Sequence, residues 1–170
     1  QEIREEMDQL FPPDAISVLS ATSLENVVVM LNDLLWLREQ CEELDAHIST
    51  AWVELCATDP QYEEFSDRGV KTSNYQMRTI QVALDMVYLP SVIDYLGARV
   101  AYFELRAPFL GRLFSPTVAR SPLSEVIQTL NAVVLPTLEG GLNPEVGARV
   151  YEAVCRWCLK VLLHILLDGG

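Results

Sequence analysis

Residues 24–55 read LENVVVMLNDLLWLREQCEELDAHISTAWVEL, and this stretch decides the fold. Leu24, Val27, Val28, Leu31, Leu34, Leu35, Cys41, Leu44, Ile48, Trp52 and Leu55 recur at steps of three and four, with one gap near Arg38. That spacing predicts an amphipathic helix of about thirty residues, near 50 Å long at about 1.5 Å per residue. Asp33, Glu39, Gln40, Glu43, His47 and Glu54 fall on its other face. Thr22 and Glu25 have the T-x-x-E form of a capping box at its start.

The same reading extends outward in both directions. The polar run ATDPQYEEFSDRGVKTS at 57–73 contains Pro60 and Gly69 and is expected as a loop. A helix is expected from about Asn74 through Tyr88, interrupted or restarted at Pro90, and continued with Ile93, Leu96, Val100 and Phe103 on one face. Pro108, Gly111, Pro116 and Pro122 leave room only for short helices between 106 and 122. Ser121-Pro122 and Asn143-Pro144 each pair an N-cap with a proline at the first helical position. The first opens a helix to about Leu135, ended by Pro136, Gly140 and Gly141; the second opens the last helix. No segment alternates apolar and polar residues long enough to make a strand, and no repeat of 20–50 residues is evident. The expected fold class is all-α, with long antiparallel helices in a bundle or stacked-bundle rod. The expected organisation is one helical segment: a first long helix region over 1–56, the loop, and a second bundle region over 74–170. A first residue other than Met and a Gly-Gly ending suggest a piece of a longer rod.

Charge narrows the partners. Residues 1–80 carry 16 acidic and 5 basic side chains, and residues 81–170 carry 8 and 7. The acidic first part disfavours phosphate, and with it nucleic acid and anionic lipid. A basic protein partner is compatible with it, although surface acidity also serves solubility alone. No basic-then-apolar leader opens the chain, so reduced thiols are expected for Cys41, Cys56, Cys155 and Cys158.

The tail VYEAVCRWCLKVLLHILLDGG at 150–170 combines C-x-x-C, a histidine and an apolar run. At about 100° per residue, Glu152, Arg156, Lys160 and His164 form one polar stripe. Cys155 and Cys158 are expected on the opposite, core side with Val154, Leu162, Ile165 and Leu166, as buried thiols. The cysteines and His164 then cannot close on one zinc ion. The apolar run is about half of the 20 residues a membrane span needs. The helix is nearly apolar around its last two turns, so it is expected to be covered on most sides. Neither His47 nor His164 follows an acid by three residues, as helical di-metal sites require. Residues 32–36, NDLLW, have one carboxylate where the metal motifs of helical prenyl-chain enzymes need two or three. Phosphate-loop, dinucleotide and nucleophile-elbow motifs are absent from the sequence. No catalytic, cofactor-binding or metal-ligating residue is assigned, and the chain is expected not to be an enzyme.

Two segments resemble a known family. VVVMLNDLLWLREQCEEL at 27–44 is similar to the helix with a VLNN-x-x-x-x-R core in the MUN-domain vesicle-priming proteins, the Munc family. Met30-Leu31-Asn32-Asp33 stands in place of that core, with Arg38 at the matching spacing. YLPSVIDYLGARV at 88–100 resembles the L-x-P-x-[IM]-D-x-L segment opening the family's second homology region. Leu89, Pro90, Ile93, Asp94 and Leu96 carry that likeness, with a one-residue slip at the proline. The resemblance implies the C-terminal part of a rod of stacked helical bundles that acts in SNARE-dependent exocytosis. It implies partners among syntaxin-type SNARE proteins, their chaperones and flanking domains of the same chain. It also implies a cytoplasmic location, held at membranes through other parts of the parent protein. The proline-rich 106–122 segment and a short link between the homology segments depart from the family pattern, and the resemblance assigns no SNARE-contact residue to this chain. Two rivals remain open: a structural segment with only intramolecular partners, and a helical enzyme with an apolar pocket, such as a prenyl-chain enzyme.

Overall fold

A computed structural model of the chain describes residues 22–105, 108–109 and 122–168. Side chains at 60, 63–70, 73, 122–123, 164–166 and 168 lie outside that description, as does the expected cap Ser121 and most of the proline-rich segment. The backbone is helical nearly throughout, and the described residues contain no strand, so the all-α expectation holds.

Helix α1 spans Leu24–Thr58, 35 residues. Its N-cap is Ser23 rather than Thr22: the Asn26 N–H donates to Ser23 Oγ at 3.2 Å, and the Val27 N–H to the Ser23 carbonyl. Glu25 sits one position too early to close a capping box, but its carboxyl still lies below the ordinary carboxylate range. A hydrogen bond from its own main-chain N–H is the largest cause, then one with Ser23, with the nearby Arg99 charge adding to them. The predicted core face is correct through its first half, where Leu24, Val27, Val28, Leu31, Leu35 and Cys41 are buried. Leu34 is half-buried there; beyond Cys41 the face fades, with Ile48 and Trp52 half-buried and Leu44 and Leu55 exposed.

The expected 57–73 loop is instead a short connection. Asp59 and a 3₁₀ turn, Pro60–Tyr62, lead directly into α2, Glu63–Ala83. Asp59 acts as a cap, its Oδ1 accepting from the Gln61 N–H at 3.1 Å and its carbonyl from the Tyr62 N–H. Asp59-Pro60 therefore repeats the cap-plus-proline device of Asn143-Pro144. Gly69 lies inside α2, where it costs about 1 kcal/mol relative to alanine without breaking the helix.

Nor does Pro90 stop the chain. Helix α2 passes through a π-helical turn, Leu84–Tyr88, into α3, Leu89–Arg99, and a second π turn, Val100–Glu104, follows. Helix α4, Pro122–Thr129, passes through a third π turn, Leu130–Val134, into α5, Leu135–Gly141. Each turn is closed by a bond from residue i to i−5: Leu89 N–H to the Leu84 carbonyl, Leu105 N–H to Val100, and Leu135 N–H to Leu130. A proline ring clashes with the carbonyl four residues before it, and the widened turn relieves that clash ahead of Pro90 and Pro136. The residue after each proline then binds into the turn. Ser91 Oγ donates to the Val87 carbonyl at 2.6 Å, and Thr137 Oγ1 to Val133 at 3.0 Å. Residues 84–91, LDMVYLPS, and 130–137, LNAVVLPT, thus share the pattern L-[DN]-x-V-x-L-P-[ST], a short internal recurrence behind two of the three π turns. Helix α5 runs through Pro136 and ends at Gly141; α6, Pro144–Asp168, begins on Asn143, whose Oδ1 accepts from the Glu145 N–H at 2.9 Å.

The apolar spacing explains the π turns. Leu84, Leu89, Ile93, Leu96, Val100 and Leu105 are buried at steps of five, four, three, four and five, and Ala98, Ala101 and Tyr102 are buried beside them. Each step of five coincides with a π turn. In a regular α-helix five residues rotate by about 140° net, which carries a side chain off the core face. The wider turn keeps Leu89 and Leu105 inside. Phe103, expected in the core by regular α spacing, is therefore only half-buried, and Leu105 takes the place inward.

The described residues form two compact units. One holds those up to Leu31 and from Val92 onward; the other is Asn32–Ser91. In the first, α6 turns Val146, Val150, Ala153, Val154 and Val161 inward, and Ile93, Leu96, Val134 and Leu138 are buried in the same unit. In the second, the buried apolar side chains are Leu35, Cys41, Leu84 and Leu89. There Arg38 pairs with Asp85 at 3.6 Å, and Ser49 Oγ donates to Asn74 Oδ1 at 3.4 Å.

Candidate functional site

Two features of the surface are candidates: the joint between α3 and α6, and the apolar faces that the packing leaves outside.

The joint starts from a glycine. A Cβ built on Gly97 of α3 would stand 2.7 Å from the Ala153 carbonyl carbon and 2.8 Å from its oxygen. Only glycine lets α3 approach the α6 backbone this closely. One turn before Gly97, Asp94 Oδ1 accepts from Arg156 Nη2 at 2.5 Å and from Trp157 Nε1 at 2.9 Å. Lys160 Nζ stands 4.1 Å from the centre of the Trp157 ring. Arg156 and Lys160, two members of the expected polar stripe, are thus engaged, while Glu152 is exposed and the side chain of His164 lies outside the described set. Half of the Arg156 and Asp94 surface still meets water, so the ion pair contributes on the order of 0–1 kcal/mol. Its larger effect is geometric, because two donors on one oxygen fix the rotation of α6 against α3.

The residues that carry the likeness at 88–100 divide between packing and this joint. Leu89, Ile93 and Leu96 are buried, Pro90 follows a π turn, and Asp94 holds α6. In the 27–44 segment Leu31 is buried, Asp33 is exposed and Arg38 reaches Asp85. Nothing in the sequence signalled that Asp94 meets Arg156 and Trp157, since more than sixty residues separate them and no helix register relates the two.

The thiols depart from expectation. Cys155 is exposed rather than buried, because the core face of α6 runs through Val146, Val150, Ala153, Val154 and Val161. Cys158 is half-buried, and burial, followed by the neighbouring Cys155, pushes its thiol up to about 11. Cys41 is buried, and Cys56 is half-buried with its Sγ 3.7 Å from the Tyr62 carbonyl. Among the described residues no group of three or more His, Cys, Asp or Glu side chains is arranged to hold a metal ion. No described helix is long and apolar enough to cross a membrane.

The second feature is apolar surface left outside. On α6, Leu159, Leu163 and Leu167 follow one another at steps of four and are all exposed, so the expected cover over the last turns is not supplied by the described residues. The first π turn exposes Met86, Val87 and Tyr88 in succession, with Met86 at 73%. On α1, Trp36 is 59% exposed, and Leu37, Leu44 and Leu55 are exposed as well. Rows of exposed apolar side chains such as these are the candidates for interaction surface.

Comparison with known proteins adds the following. A family model described as PATROL1-like, TPR repeats matches residues 12–170. A protein named "Protein unc-13 homolog" from Arabidopsis thaliana is 26% identical over 142 residues, which is 82% of this chain and 12% of that protein. The chain therefore spans about an eighth of the length of the curated relative it matches. No solved structure matches the chain significantly. The repeats in the family's description are helix–turn–helix units of about 34 residues, whereas α1 alone runs unbroken for 35.

Proposed function

The chain belongs to the PATROL1-like family, and from that premise we propose that it is a non-enzymatic helical scaffold for vesicle tethering and priming, acting with SNARE proteins. The observation that carries the scaffold reading is apolar surface displayed on ordered helices: Trp36, Leu37 and Leu44 on α1, and Leu159, Leu163 and Leu167 on α6. Such faces suit helix-in-groove recognition, in which apolar anchors on one helix seat against another. The trafficking part of the reading rests on the similarity to the unc-13 homolog and on the resemblance of residues 27–44 and 88–100 to the Munc family. In this reading the chain works in the cytoplasm, at membranes reached through other parts of the parent protein. Titration of the full-length protein against syntaxin-type SNAREs and their chaperones tests it. Saturable binding that weakens when Trp36 and Leu44 are changed to serine is expected; no binding to any of them overturns it.

One observation favours a second reading. The α6 leucines lie beside Arg156 and Lys160, whose charges are already engaged by Asp94 and the Trp157 ring, and the stripe suits packing against further helices of the same chain. Hydrogen exchange distinguishes the two: protection over 159–167 that exists in the full-length protein and is missing in the 170-residue chain supports an intramolecular cover.

A further inference from the structure

We propose that the outer face of α1 between Asp33 and Leu55 docks a basic amphipathic helix. At about 100° per residue, Asp33, Trp36, Leu37, Glu43, Leu44, Glu54 and Leu55 fall within an arc of about 120°. All seven side chains are exposed. The apolar members form a stripe about 30 Å long, and the three carboxylates are set along it rather than on the far side of the helix. Gln40 lies within the same arc and donates to Glu43 Oε2 at 3.2 Å, which places that carboxylate on the stripe. No lysine or arginine stands on this face. The only one in α1, Arg38, points elsewhere and pairs with Asp85.

Charge selects the occupant. The unit from Asn32 to Ser91 carries eleven acidic and four basic side chains. An anionic membrane or a nucleic acid would meet like charge along the whole stripe. A second copy in isologous contact would bring these carboxylates against one another, and like charges at a contact disfavour the pairing. A helix with apolar residues along one side and lysine or arginine at their edges meets both requirements. Its apolar side covers Trp36, Leu37, Leu44 and Leu55, and its cations meet Asp33, Glu43 and Glu54. Trp36 is the natural anchor, since large aromatic side chains dominate such contacts. The other open faces give no such choice, because neither the α6 leucines nor Met86–Tyr88 stand among charges of one sign. The proposal rests on the scaffold reading but needs no SNARE. A full-length protein that ignores SNAREs and binds as below would overturn the trafficking assignment and leave this surface standing.

The test uses the full-length protein and two labelled synthetic helices of about 21 residues, matched to the stripe at about 1.5 Å per residue. One carries leucines on its apolar side with lysines at the flanks; its twin has glutamate at every lysine. Fluorescence anisotropy is expected to show saturable binding of the lysine helix, at least about tenfold tighter than its twin and weakened by salt. Trp36→Ala is expected to weaken it by about tenfold or more. Glu43→Lys with Glu54→Lys should abolish or reverse the preference. Glu139→Lys with Glu145→Lys alters net charge equally at exposed positions on α5 and α6, and should leave the preference intact. Circular dichroism confirms that each variant is folded. Equal binding of the two helices, equal effects of the two charge pairs, or no effect of Trp36→Ala overturns the proposal. So does failure of the lysine helix to bind. Light scattering then assigns the cover to a second copy, and protection of Trp36 from a quencher in a monomer assigns it to the rest of the chain.

Discussion

Gly97 is the position where a single atom does most. Alanine there gains about 1 kcal/mol of helix propensity, but its Cβ meets main-chain atoms of Ala153 at 2.7 and 2.8 Å. Main chain cannot swing aside as a flexible side chain can, so α3 and α6 must separate, and overpacking of this kind costs about 1–3 kcal/mol. Gly97→Ala is therefore expected to lower stability by about 1 kcal/mol net in urea unfolding. Gly147, with open space around its Cβ position, is the control: Gly147→Ala should stabilise. Cys158 gives a pH signature at the same scale. Burial raises its thiol from 9.0 to about 11 in the fold, so the folded state holds its proton more tightly than the unfolded chain. The stability it contributes is complete below pH 9 and is lost as pH rises through about 11. Cys158→Ala should flatten the alkaline loss relative to the parent chain when melting is followed between pH 8 and 11.

The helices themselves were legible and their irregularities were not. Periodicity at three and four found α1, α3 and α6, because a core face repeats with the helix. It failed where the chain widened. Even α spacing puts Phe103 inside, while the turn closed by Leu105 N–H and the Val100 carbonyl puts Leu105 there. Leu105→Ala should accordingly cost about 2–4 kcal/mol. Phe103→Ala should cost less than that, losing a half-buried ring and its contact with Arg99 at 5.2 Å. The opposite order of the two variants in chemical denaturation would contradict the π turn. Pro90 and Pro136 were visible in the sequence but read as breaks, since a proline inside a helix normally kinks or ends it. The recurrence of L-[DN]-x-V-x-L-P-[ST] escaped because eight residues, repeated once at a distance of about 46 positions, fall below what a repeat search registers. The loop at 57–73 was misread for a related reason: Pro60 and Gly69 look like punctuation, yet the proline belongs to a cap and the glycine is carried inside α2.

At the scale of the molecule, burial is unevenly shared. Of the buried apolar side chains among the described residues, four lie in the Asn32–Ser91 unit and the rest in the other. The acidic excess is concentrated in that same unit, and so are Trp36, Leu37, Met86, Val87 and Tyr88 among the exposed residues. A unit with few buried contacts opens at lower free energy than one with many. Native-state hydrogen exchange should therefore show α2 amides exchanging through smaller openings than those of α6 between Val146 and Val161. Equal protection of the two would show that the second unit is held by more than its own core. Little of the candidate surface could be read in advance. Composition revealed that the first half of the chain is acidic, but which apolar residues are left outside depends on where each helix turns its face, and that is set by contacts between distant segments.

The π turns also bear on how such a chain changes over descent. A single inserted residue in a helix ordinarily rotates everything after it and turns the core outward. A widened turn absorbs the insertion locally and returns the following residues to their places. Leu84–Tyr88, Val100–Glu104 and Leu130–Val134 are thus sites where the chain tolerates a change of one residue in length. Gaps of one position in an alignment of relatives belong there, and they leave Asp94 facing Arg156.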